Sequence, residues 1–80
     1  MRQPYEAVTD RVASSAGLDP LTEEEGRALL ALARRVAHTS DDRRAAPLVC
    51  YLAGRVLGSS APPAERLQRI AELESLFPEE

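Results

Sequence analysis

The stretch from Pro47 to Leu57 reads PLVCYLAGRVL and carries one charge, Arg55, in eleven residues. A helix that is apolar around most of its circumference has to be covered on several sides. This one is too short to cross a bilayer, which takes about 20 residues, so the cover must be protein. It is therefore expected at the centre of the fold, wrapped by its three neighbouring helices or by another molecule. Gly54 would let one neighbour approach closely, and a strand over Leu48 to Leu52 is the weaker alternative.

The remaining 69 residues supply three more helical segments. The first runs from about residue 4 to 16, with Tyr5, Val8, Val12 and Ala16 on one stripe. Gly17 stands where a left-handed cap is wanted and Leu18 follows as its apolar contact. The second, about 23 to 38, opens on Thr22-Glu23-Glu24-Glu25, a capping box with Thr22 as N-cap and Glu25 as its reciprocal partner. Its apolar face is Leu29, Leu32, Ala33, Val36 and Ala37, widened by Leu30, and Glu23 pairs with Arg27 on the surface. A polar turn from Thr39 to Arg44 leads into the central helix, about 46 to 57, which Gly58 stops. Ser59 to Pro63 is a linker. The last helix, about 63 to 77, carries Leu67, Ile70, Ala71, Leu73 and Phe77 inward and a Glu65–Arg69 pair outward, and Glu79–Glu80 fray. The expected architecture is all-α, a compact four-helix bundle-like domain over residues 1–80 with a central apolar third helix.

Composition narrows the function classes. A net charge of −3 argues against coating nucleic acid, which depends on excess cationic charge. A helix-turn-helix reading fails on chemistry, because the would-be recognition helix presents Leu48, Val49, Leu52 and Val56 where base edges need polar groups. One cysteine excludes a disulfide framework, and the start of the chain lacks the apolar run of a signal peptide. The expectation is a soluble cytoplasmic domain without a membrane span. All ten basic residues are Arg, which GC-rich coding accounts for without any special chemistry. A core this small, without disulfide or metal, would gain from packing against a partner or a second copy.

Few residues point to chemistry. His38 ends the second helix, where an imidazolium is favourable. Cys50 reads as core filler and Tyr51 as core or rim. The acidic run at Glu23 to Glu25 is explained by capping, and neither catalytic residues nor a metal or cofactor site is expected. Only the segment His38 to Arg44 gathers several polar functions. Arg43 and Arg44 precede the third helix, whose unpaired amides favour an anion, while Asp41 and Asp42 can neutralise them locally. The candidate contact edge is His38, Arg43, Arg44 and Tyr51.

The run Leu30 to His38, followed by Arg44 to Gly54, resembles a small actinobacterial helical domain of unknown function over about Leu18 to Phe77. Such domains stand alone or are fused behind a nucleotidyltransferase-like domain resembling molybdenum cofactor guanylyltransferase. The resemblance implies an accessory role near molybdopterin or nucleotide chemistry, without the larger Gly-rich α/β domain that carries transferase activity. Together these readings predict a non-enzymatic interaction module with a protein partner or self-association. The alternative is a domain that binds a small anion or a nucleotide phosphate at the same edge.

Overall fold

The computed structural model describes residues 4–58 and 61–78. It contains four helices, α1 (Pro4–Ser15), α2 (Glu23–Ser40), α3 (Ala45–Leu57) and α4 (Pro63–Glu74). Strands are absent among the described residues. The all-α four-helix expectation holds. Ser59 and Ser60 of the expected linker and the terminal Glu79–Glu80 lie outside the described residues.

Local chemistry sets the helix ends. Thr22 Oγ1 accepts the Glu25 N–H, and Glu25 Oε1 accepts the Thr22 N–H, both at 3.1 Å. This closes the capping box read from the sequence. After α1, Gly17 adopts a φ of +71°, which lets the Leu18 N–H reach the Ala13 carbonyl at 2.8 Å and the Gly17 N–H reach Ser14 at 3.2 Å. That pair of bonds is a Schellman cap. α2 runs two residues past His38 to Ser40, and Asp41 ends it in the left-handed region with a φ of 57°. Asp tolerates that conformation better than most residues with a Cβ. α4 stops at Glu74, yet Phe77, beyond its end, still packs against the core.

The centre of the fold is α2, not α3. Leu32 and Val36 of α2 are fully buried and meet Ala53 of α3 and Ile70 of α4. Leu29, Val49, Leu57, Leu73 and Phe77 pack around them. α2 is the longest helix, at 18 residues, and it takes α3 on one flank and α4 on the other. α3 therefore buries only the stripe Ala45, Val49, Ala53 and Leu57, with Ala53 its one fully buried residue. Nothing among the described residues is laid over its far side, so the three-walled cover expected for α3 is not there.

α1 is also oriented differently from its sequence pattern. Val8 and Val12 are each 63% exposed, while Tyr5, Thr9 and Ala13 turn inward. The contact of α1 with α2 is made by Tyr5. Gly26 has no side chain, and the Tyr5 ring and hydroxyl come within 3.6 Å of where its Cβ would be. Val8 and Val12 face outward, and α1 lies beside the bundle rather than in its core.

Two ion pairs register α4 on α2. Arg66 bonds Glu25 near the start of both helices, and Arg35 Nη1 reaches Glu74 Oε1 at 3.1 Å towards their ends. α2 and α4 thus run parallel and pack directly on each other, with α3 the return segment on the other flank of α2. Among the described residues no helix is long and apolar enough to cross a membrane.

Candidate functional site

The four residues of the expected edge fall into two places. His38, in the last turn of α2, and Arg43 line a shallow hollow of about 400 Å³ with Arg34, Ala37, Asp41 and Asp42. Arg44 turns away from it. Its Nε and Nη2 donate to Asp42 Oδ1 and Oδ2 at 3.1 and 3.0 Å, and its backbone N–H donates to Oδ1 at 3.0 Å. These bonds hold the Asp42 carboxyl below its ordinary range and raise the Arg44 guanidinium. Asp42 thus already supplies the anion that the start of α3 and its arginine invite. Tyr51 stands seven residues further along α3, about 10 Å from Arg44 along the axis. The edge is not a single cluster.

The outer face of α3 is the more notable surface. Leu48, Tyr51, Leu52 and Val56 are 65%, 68%, 52% and 54% exposed. At spacings of three, four and eight from Leu48 they form one continuous arc along the helix. α3 contains no acidic residue, and its one charge, Arg55, lies within the arc. Single exposed apolar residues are ordinary, whereas these four adjoin one another on one face. The apolar content of the sequence flagged this helix as needing cover, from its three neighbours or from another molecule, and the neighbours cover only one side of it.

A second feature escaped the sequence reading altogether. Glu25 is only 2% exposed and its carboxylate is gripped by Arg66, whose Nη2 donates to Oε1 at 2.8 Å and whose Nε donates to Oε2. Arg66 Nη1 also donates to the Ala61 carbonyl. The Arg66 bonds, aided by the Thr22 N–H, hold the Glu25 carboxyl below its ordinary 4.5 against the upward push of burial. One signal was available. Arg66 sits four residues before Ile70 and seven before Leu73, on the apolar stripe of α4, where a charge requires a buried counter-charge.

The pair forms part of the wall of a cleft of about 300 Å³. Cys50, Gly54 and Leu57 of α3 line it, with Leu29 of α2 and Leu18 to Leu21 of the preceding loop. Cys50 is half-buried, and burial pushes its thiol upward, so it is a weak nucleophile at neutral pH. Among the described residues no three His, Cys, Asp or Glu side chains gather as a metal site would need.

No curated protein and no solved structure matches the chain. A family model does match, over residues 2–79, nearly the whole length. The chain belongs to the family described as Domain of unknown function (DUF6457).

Proposed function

We propose that the chain is a non-enzymatic helical interaction module whose docking surface is the outer face of α3. The exposed arc of Leu48, Tyr51, Leu52 and Val56 carries this reading. Large aromatic and aliphatic side chains on a rigid helix supply apolar contact at low entropic cost. With Arg55 the only charge among them, the fitting partner is an apolar patch rimmed by carboxylates. The resemblance of Leu30 to His38 and Arg44 to Gly54 to actinobacterial domains fused behind guanylyltransferase-like proteins favours a partner in molybdenum cofactor assembly, or a molybdoenzyme.

A second reading rests on the hollow that brings together Arg34, His38 and Arg43, which together would suit a phosphate. It is the weaker one, because Asp41 and Asp42 share that hollow and Arg44 is committed to Asp42.

The test is affinity purification from the native host with the unaltered chain and with a Tyr51→Glu, Leu52→Glu variant. A stoichiometric partner retained by the first and lost by the second, with unchanged helical circular dichroism, is the expected result. Equal retention by both chains overturns the α3 surface. A molybdenum enzyme or assembly protein as that partner supports the proposed context. Phosphate-dependent shifts of the His38 imidazole resonances would favour the second reading.

A further inference from the structure

The cleft beside the Glu25–Arg66 pair has no part in the docking surface just proposed, and its chemistry is distinct. α3 turns Cys50, Gly54 and Leu57 to the cleft and Leu48, Tyr51 and Leu52 to the outside. Its volume of about 300 Å³ is that of a small-molecule site rather than a packing defect. Leu18 and Leu21, both exposed at its rim, would be covered by an occupant.

The polar groups in the wall narrow the occupant's class. Two carboxylates, Glu25 and Asp19, stand against one guanidinium, Arg66. The Arg66 charge is already matched by a bidentate carboxylate, so a phosphate or a carboxylate ligand would add a second negative charge against the pair. A guanidinium has five N–H donors. Three are placed, on Glu25 and Ala61, and the other two have no acceptor among the described residues. They can take a neutral oxygen without any transfer of charge.

We infer that this cleft is a binding site for a small, neutral, largely apolar molecule whose carbonyl or hydroxyl oxygen accepts from Arg66. Apolar wall and rim supply the affinity, and the spare guanidinium donors set the orientation.

The probe is prodan, a neutral naphthalene bearing a ketone, titrated into the full chain. Saturable binding with blue-shifted emission is expected, together with slower alkylation of Cys50 by N-ethylmaleimide. Gly54→Leu should weaken binding by at least about tenfold while the chain stays helical. A Cβ added at Gly54 meets nothing within 4 Å, so the new side chain has open space beside the cleft to occupy. Tyr51→Ser, on the outer face, should leave binding unchanged, which separates this site from the docking surface. Anilinonaphthalene sulfonate, of similar size but anionic, should not compete. The inference is overturned by any of four results. They are no saturable binding, no protection of Cys50, equal binding of the sulfonate, or binding that Gly54→Leu leaves unchanged or Tyr51→Ser weakens.

Discussion

Replacing Arg66 with Met tests the strongest polar contact in the fold. The guanidinium supplies two of the bonds on Glu25, and its removal leaves a carboxylate that is 2% exposed with only Thr22 for a partner. Breaking one side of a buried pair costs about 3–5 kcal/mol. The Arg66 side chain is 18% exposed, so water reaches part of the pair and the low end, about 3 kcal/mol, applies. A domain of this size has roughly 4–12 kcal/mol in all. The melting midpoint should therefore fall by about 12–24 °C. In the unaltered chain the Glu25 carboxyl titrates below its ordinary 4.5, so its contribution is full above that value and is lost as the pH falls through the lower one. In the variant the lowering by Arg66 is gone while burial still pushes upward, so the carboxyl sits above its place in the unaltered chain. The penalty then shrinks on acidification as Glu25 takes up a proton. Urea unfolding followed by circular dichroism between about pH 7 and pH 4 should show the gap closing. Glu25→Gln combined with Arg66→Met should recover part of the loss, since the amide oxygen still accepts from Thr22. A gap below about 1 kcal/mol, or one that does not vary with pH, would refute a buried and energetically committed pair.

Core and surface should separate cleanly. Leu32→Ala, at a fully buried position, should cost about 2–5 kcal/mol, whereas Val12→Ala should stay within about 0.5 kcal/mol, both read from urea midpoints. Two glycines should respond with opposite signs in thermal melts. Gly17→Ala, at a φ of +71°, should lose about 1 kcal/mol, and Gly54→Ala, in a helix with open space around it, should gain about 0.5–1 kcal/mol. Gly26→Leu should expel the Tyr5 ring and raise hydrogen exchange across α1 while the amides of α2 around Leu32 stay protected. Gly26→Ala should not, because its Cβ would meet Tyr5 at an ordinary 3.6 Å.

What was legible in the sequence was local. The Thr22–Glu25 box, the Gly17 cap, and the Glu23–Arg27 and Glu65–Arg69 pairs each depend on residues three to five apart, and helical spacing alone brings them together. What was not legible depends on partners chosen by the fold. Arg66 finds Glu25 across 41 positions of sequence. Tyr5 of α1 meets Gly26 of α2 across 21 positions of sequence, a contact that leaves no trace in the pattern of α1 itself. At the candidate edge, the residue types at His38 to Arg44 read as a gathering of charge, yet the Asp42 side chain captures Arg44 and splits the group. An i,i+2 capture of this kind is decided by turn geometry, and α2 running on to Ser40 with Asp41 left-handed set that turn.

The apolar character of α3 separates into three demands once the structure is considered. Ala45, Val49, Ala53 and Leu57 are apolar because they pack on Leu32, Val36 and Ile70. Cys50 and Gly54 face the cleft. Neither demand reaches Leu48, Tyr51, Leu52 or Val56, whose replacement by polar residues would leave the core untouched and make the surface more soluble. Their apolarity has no cause among the core and cleft contacts described. Under the proposed function a second molecule is the cause, and the consequence is mutual. Binding to the folded state alone stabilises it by mass action, and it does so in a domain whose fully buried core cluster is Leu32, Val36, Ala53 and Ile70. A partner that covers α3 would thus raise the melting midpoint as it docks, making interaction and folding parts of one equilibrium.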